Sequence, residues 1–142
     1  MRLSNQFKPV LFYHKRGKIV DTYVEKESRL NLDVTNSDNE IKFQIDCFNG
    51  TQANVSLFNG DEKELLCGEA KSIGKASALK GKTVFVIGAA DNPDGEAIKI
   101  VHKIFETNGN SLTYIFPDDY TGTPQFDKKD DHPDYKLFIN LR

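Results

Sequence analysis

The stretch that decides the fold is IKFQIDC, residues 41–47. Every second side chain in it is apolar (Ile, Phe, Ile, Cys), and the side chains between them are polar (Lys, Gln, Asp). Because successive side chains of a β-strand point to opposite faces of its sheet, this period of two predicts a strand with one buried and one wet face. Half-buried strands of this kind are typical of antiparallel sheets.

The same alternation continues on both sides of this stretch. Residues 30–34 alternate before it, and the cluster TNSDN at 35–39 is rich in turn-forming residues, so we interpret the two segments as a hairpin. Residues 53–57 alternate after it and are followed by Asn-Gly-Asp at 59–61. Asn-Gly and Asp-Gly pairs tolerate the positive φ angles of tight hairpin turns, which predicts a second reversal of the chain there.

The C-terminal half contains three further strand candidates. Residues 83–87 are apolar on both faces and predict a central, buried strand, whereas residues 112–116 and 137–141 alternate. An acidic start at 61–66 favours one short helix. Turn residues recur roughly every 8–15 positions, which is typical of an all-β sandwich or barrel.

The segment 97–106 has two interpretations. As a helix near 93–106 it has an N-cap at Asn92 and a stop at Asn108-Gly109, and the protein would then be α+β. As a strand it places four residues on one face: Ile98, Ile100, His102 and Ile104. The β-branched content and the surrounding strands favour the second interpretation.

Together these patterns predict an all-β protein, a single antiparallel β-sandwich of about seven to nine strands that spans residues 1–142. A chain of 142 residues has the length of one domain. Its composition, 38% hydrophobic and 28% charged, allows a buried core and excludes compositional disorder. Residues 117–134 lack periodicity and predict a long irregular loop. Phenylalanines in the apolar runs, Phe43, Phe85 and Phe138 among them, are interpreted as core.

The net charge and the N-terminal residues narrow the class of protein. A net charge of −2 argues against a nucleic-acid-binding protein, and no run approaches the roughly 20 apolar residues that a membrane span requires. Polar residues interrupt positions 4–8, where a secretory signal would be apolar. We therefore expect a cytoplasmic protein, or a mature form from which a signal has been removed.

Cys47 and Cys67 are the two cysteines of the chain, and both lie in apolar sequence. We interpret them as buried free thiols that act as small hydrophobic side chains. One disulfide between them is the alternative, and nothing in their spacing settles whether they are close.

No residue pattern indicates catalysis. The three histidines, His14, His102 and His132, lack the spacing of a metal site, and there is no Gly-x-Ser-x-Gly elbow. Gly88 follows a predicted strand, but the other glycines of a dinucleotide loop are absent. We therefore expect a non-catalytic protein; a small α/β enzyme built around residues 83–116 is an alternative that requires the helical interpretation.

Acidic side chains cluster in two loops. Three lie in the stretch DNPDGE at 91–96, and two more begin the irregular loop; the set is Asp91, Asp94, Glu96, Asp118 and Asp119. Calcium takes six to eight oxygen ligands, so a calcium-dependent ligand-binding domain is one functional hypothesis. Asn-Pro-Asp-Gly is also an ordinary turn sequence, and the EF-hand pattern is absent, so a solvated turn is the preferred interpretation and no cofactor is expected.

Two aromatic residues of the irregular loop, Tyr120 and Phe126, are the candidate contacts for a partner. Aromatic side chains contribute much of the binding energy at interfaces, and loops carry function more often than sheet faces do. The leading hypothesis is therefore a non-catalytic interaction module or small subunit of a larger assembly. It would bind a protein partner through loops or through exposed edge strands.

Overall fold

The structure is a computed structural model that describes residues 25–123 and 133–142. These residues form nine strands and one short helix: β1 (Glu25–Leu32), β2 (Glu40–Phe48), β3 (Gln52–Phe58), β4 (Glu62–Leu66), β5 (Ala70–Lys75), α1 (Ala76–Leu79), β6 (Thr83–Asp91), β7 (Lys99–Glu106), β8 (Ser111–Phe116) and β9 (Asp134–Leu141). The all-β fold predicted from the alternation is confirmed. Within the described ranges, no helix is long and apolar enough to span a membrane.

The strands form two sheets that enclose one core. The five-stranded sheet has the order β1-β9-β6-β3-β4, and the four-stranded sheet has the order β5-β2-β7-β8. Neighbouring strands are antiparallel except β1 and β9, which pair in parallel, so the sandwich is mostly rather than wholly antiparallel. The inward side chains of both sheets form a continuous hydrophobic cluster, with Phe43, Leu57 and Leu137 fully buried.

Alternation predicts the central strands of the four-stranded sheet well. In β2, Ile41, Phe43 and Ile45 are fully buried while the residues between them are partly exposed. The segment 99–106 is the strand β7, so the helix near 93–106 is wrong. The physical reason is that a strand sends all its inward residues to the core, whereas a helix at the same place would leave part of this isoleucine-rich stretch in water.

The predicted hairpin between residues 30–34 and 41–47 is wrong. β1 belongs to the five-stranded sheet and β2 to the other, so the turn cluster at 35–39 crosses from one sheet to the other. Buried Glu106 at the end of β7 holds this crossing, accepting hydrogen bonds from the Thr35 amide at 2.9 Å and from Asn39 Nδ2 at 2.8 Å. Alternation identifies a strand but does not select its partner.

Two other local predictions are corrected. Residues 61–66 do not form a helix. This segment contains the strand β4, which follows a turn at Asn59-Gly60 and pairs with β3. Residues 83–87 do lie in a central strand, β6, but this strand is not buried on both faces. Ile87 lies on the outer face of the five-stranded sheet and is 37% exposed, so the apolar residues of this strand are not all buried.

Cys47 and Cys67 are joined in a disulfide, so their interpretation as buried free thiols is wrong. Cys67 lies in the exposed connection between β4 and β5, where the chain passes from one sheet to the other. This connection runs beside β2, with the Gly68 amide donating to the Ile45 carbonyl at 2.9 Å. The two cysteines are therefore brought together by a crossing that their sequence separation of 20 residues does not reveal.

Candidate functional site

The outer face of the five-stranded sheet carries a row of three phenylalanines across its central strands. Phe58 of β3 pairs with Phe85 of β6, and Phe85 pairs with Phe138 of β9. The ring centroids are 5.9 Å apart for Phe58 and Phe85 and 4.8 Å apart for Phe85 and Phe138. We call these three residues the phenylalanine row, and the outer side of this sheet the row face.

The two ends of the phenylalanine row carry opposite charges. Arg29 of β1 lies opposite Phe138, and its guanidinium carbon is 4.3 Å from the centroid of that ring. Glu62 of β4 lies opposite Phe58 at the other edge. A cation over an aromatic ring contributes about 0.5–1 kcal/mol at an exposed site, so Arg29 also helps to hold the row in place.

The stacking geometry limits what the row can bind. The rings of Phe85 and Phe138 are stacked, with planes 25° apart, so each turns a face toward the other, while the ring of Phe58 is tilted by 31° relative to Phe85. The remaining face of Phe138 is covered by Arg29. Nucleobases and cationic ligands bind on open aromatic faces, which this row does not offer along most of its length. It presents ring edges, as an apolar ridge.

The apolar surface extends beyond the phenylalanine row. Ile87 is 37% exposed and is the next outward residue after Phe85 on β6. Leu66 is 51% exposed and lies farther along the row face, beyond Glu64 on β4. Beside them is a groove of about 350 Å³ with small and amide side chains: Gln52, Ala53, Asn54, Ala89, Ala90 and Asp91. The row face therefore combines a ridge with a shallow groove, the relief that another surface can fit.

The outer face of the four-stranded sheet has a different pattern. Its exposed apolar residues, Phe48 at 43% and Ile115 at 39%, lie on β2 and β8, which do not pair with each other. Ile115 pairs with Val101, which also faces outward, so this face carries a small apolar pair, whereas Gln44 opposite Lys103 is a polar pair on the same face. Contiguous apolar patches mark interaction sites, whereas single exposed apolar residues are ordinary, so the row face is the stronger candidate.

Tyr120, a predicted partner contact, is held in place by its neighbours. Its hydroxyl accepts a hydrogen bond from Asn49 Nδ2 at 3.1 Å, and Lys99 Nζ is 5.1 Å from its ring centroid. The same Lys99 ammonium is 4.9 Å from the ring of Phe48. Tyr120 is half-buried and Phe48 is the more exposed ring of this cluster. Phe126, the other predicted contact, lies outside the described residues.

The acidic residues proposed as calcium ligands are not assembled into a site. Asp91 ends β6, and the loop that carries Asp94 and Glu96 follows it. The side chain of buried Asn92 accepts a hydrogen bond from the Asp94 amide at 3.0 Å, which makes an Asx turn rather than the N-cap of a helix. Asp118 and Asp119 follow β8 in the other sheet, and Asp119 lies 3.6 Å from Lys26 Nζ. Among the described residues, no three His, Cys, Asp or Glu side chains are placed to hold a metal ion.

His102 does not belong to an open site, because it is buried between the sheets. Its Nδ1 is 3.1 Å from the Tyr114 carbonyl and its Nε2 is 2.6 Å from the Tyr135 hydroxyl. The carbonyl requires a donor, so Nδ1 carries the proton and Nε2 accepts from Tyr135. Burial lowers the pKa of His102 to about 4, so the imidazole is neutral at neutral pH. This pair links the two sheets.

The phenylalanine row was missed by the sequence interpretation, which placed Phe85 and Phe138 in the core. The parity of β9 contains the signal: Leu137 and Ile139 face the core, so Phe138 between them must face outward. Comparison of the chain with protein-family models, curated proteins and solved structures found no match. The geometry of the row face is therefore the feature of this protein that indicates a function.

Proposed function

We propose that the protein is a non-catalytic interaction module that binds another protein surface through the row face. One observation carries the proposal: a row of three neighbouring phenylalanines crosses the outer side of the five-stranded sheet, with the exposed Ile87 beside it. Aromatic residues and arginine are enriched among the side chains that contribute most to protein–protein binding. Covering such a patch removes apolar surface from water at about 25 cal/mol per Å², which favours association.

The charges around the row favour a protein partner over a nucleic acid. Glu62 and Glu64 project from β4 on the row face, and Glu27 projects from β1 at the other edge. Arg29 and Lys136 lie on the same face, so its charge is mixed rather than basic; phosphates favour a basic face, whereas a protein surface can match an apolar centre with mixed charges at its rim. The partner expected is therefore apolar in the middle, with an acidic group opposite Arg29 and a basic group opposite Glu62.

The buried titratable side chains support a non-catalytic role. His102 is hydrogen-bonded at both ring nitrogens, and Glu106 accepts hydrogen bonds from Thr35, Ser37 and Asn39. Both groups are occupied in holding the fold together, and both are nearly inaccessible to a substrate. The Cys47–Cys67 disulfide supports a site of action in an oxidising compartment rather than the cytoplasm expected from the sequence.

The test compares partner recovery by single-site variants on the two outer faces and in the loop. Phe85→Ser removes the central ring of the row; Ile115→Ser is the matched control, since Ile115 is an outward apolar residue of the other sheet. We expect proteins that are captured by the unchanged chain to be lost with Phe85→Ser and retained with Ile115→Ser. Circular dichroism and thermal melting confirm that both variants are folded.

Equal recovery by Phe85→Ser and the unchanged protein would contradict the proposal. Tyr120→Ser is included because Tyr120 was predicted from the sequence as a partner contact. If partner recovery is lost with Tyr120→Ser but retained with Phe85→Ser, the binding surface lies in the loop instead.

A further inference from the structure

We propose that the occupant of the row face is a second copy of this chain, related to the first by a twofold axis. The inference rests on the proposed function and specifies its partner. Its basis is the order of side chains across the five strands, which reads Arg29, Phe138, Phe85, Phe58 and Glu62. A positive charge begins the order, a negative charge ends it, and an aromatic residue stands at its centre.

This order is complementary to its own reverse. β6 is the middle strand of the sheet, so a twofold axis parallel to β6 that passes beside Phe85 reverses the row in the second copy. Arg29 then faces Glu62 of the other copy at both ends, and Phe138 faces Phe58 of the other copy. Phe85 and Ile87 face their own counterparts. Each contact occurs twice, as an isologous interface requires, and sheets pack face to face with nearly aligned strands.

The present partner of Arg29 does not prevent this contact. Its Nη2 lies 3.2 Å from Glu27 Oε2 on the same strand, and the Arg29 side chain is 66% exposed. An exposed ion pair of this kind contributes little to stability, so exchanging Glu27 for Glu62 of the second copy costs little. Glu27 would lie opposite Glu64 of the other copy at the same two edges, one outward position along from Arg29 and Glu62. Lys136 pairs with Glu27 and places a positive charge beside these carboxylates, and water at the edges screens their repulsion.

The size of the face predicts a weak dimer. Five strands at about 4.8 Å spacing are about 19 Å wide, and the β6–β9 ladder is about 20 Å long, which gives about 400 Å² before side-chain relief is counted. Standard interfaces bury about 800 Å² on each partner, so this one is about half the standard size and is expected to be a weak, transient contact. The experiment must therefore reach high protein concentration.

Sedimentation velocity between about 1 and 500 µM tests the inference with complementary charge reversals. We expect the unchanged chain to associate with rising concentration. Arg29→Glu and Glu62→Arg should each raise the dissociation constant at least about tenfold, because each variant alone places like charges at both ends of the interface. When the two variants are mixed, every end contact again joins a carboxylate and a guanidinium, so association should return as a heterodimer.

Lys103→Glu is the control, since it reverses an exposed charge on the other sheet and should leave association unchanged. A monomeric unchanged chain at all concentrations, single charge variants that associate normally, or a mixture that stays monomeric would each overturn the inference. If the chain is monomeric and Phe85→Ser still abolishes partner recovery, the proposed function stands with a different partner. If Phe85→Ser changes neither association nor recovery, both proposals fail.

Discussion

At the scale of single residues, a glycine makes room for the polar pair in the core. Gly88 of β6 lies opposite Tyr135 of β9, and a Cβ at position 88 would be 2.1 Å from Tyr135 Cζ. The ring of Tyr135 crosses this space to reach His102 and stacks on Phe116 with centroids 4.2 Å apart. A side chain at position 88 would therefore overlap the ring of Tyr135 in its present position.

Gly88→Ala is therefore expected to destabilise the protein by on the order of 3 kcal/mol, because overpacking would displace the Tyr135 ring and break its hydrogen bond to His102. Strand propensity alone predicts the opposite sign, a gain of about 0.5–1 kcal/mol. Urea unfolding measures the difference. Ala89→Ser at the exposed neighbouring position is the control and should stay within about 0.5 kcal/mol of the unchanged protein. A stabilised Gly88→Ala variant would show that the ring does not occupy this space.

His102 makes stability depend on pH. Burial lowers its pKa to about 4 in the folded state, against 6.5 for an unperturbed imidazole. As pH falls, the imidazole of His102 is therefore protonated in the unfolded chain before it is protonated in the folded protein. The contribution of neutral His102 to the free energy of unfolding is complete above pH 6.5 and is lost between about pH 6.5 and 4. Between pH 7.5 and 5 we expect the free energy of unfolding to fall by about 2 kcal/mol from this group. An NMR titration that places the pKa of His102 near 6.5 in the folded protein would contradict this prediction.

At the scale of elements, Glu106 attaches the β1–β2 crossing to β7. It follows Ile100, His102 and Ile104 in the inward positions of β7, so parity alone places a carboxylate at the rim of the core. There it accepts hydrogen bonds from the Thr35 amide and hydroxyl, Ser37 Oγ and Asn39 Nδ2. The pKa of Glu106 is lowered, chiefly by the hydrogen bond from the Thr35 hydroxyl.

Glu106→Gln is expected to destabilise the protein by about 1–3 kcal/mol, because an amide replaces one acceptor oxygen with a donor that faces other donors. Hydrogen exchange should accelerate at Ala76 and Ser77, whose amides donate to the carbonyls of Asn39 and Ser37 in the same loop. Glu40→Gln, at an exposed position, is the control. In the unchanged protein the contribution of Glu106 is present above its unfolded pKa and is lost as pH falls through the lower folded value. Unchanged exchange at both amides would contradict this role.

The elements show what the sequence can and cannot predict. Alternation identified β2, β7, β8 and β9, because each of these strands faces the core on one side only. It did not predict the partner of β1 or the β4–β5 crossing, since pairing depends on contacts far apart in sequence. The phenylalanine row was available from parity in β9 but needed the strand order to become a row. The calcium hypothesis counted acidic residues along the chain, but among the described residues no three such side chains point to one place.

At the scale of the whole molecule, the disulfide joins the two layers of the sandwich where the chain crosses between them. Cys47 belongs to β2 of the four-stranded sheet, and Cys67 follows β4 of the five-stranded sheet. β4 is also the strand that carries Glu62, at the acidic end of the row face. The bond therefore ties an edge of the row face to the opposite layer.

Removing this bond should weaken the fold without changing it. A disulfide that closes a loop of about 20 residues stabilises the folded state by about 3 kcal/mol, mainly by restricting the unfolded chain. We expect the double variant Cys47→Ser with Cys67→Ser to lose about this amount in urea unfolding, and dithiothreitol to lower the unchanged protein to the same level. Dithiothreitol should leave the double variant as it is, because no bond remains to reduce. Equal stability of the oxidised protein and the double variant would show that the covalent link adds nothing to what the strands around β2 already provide.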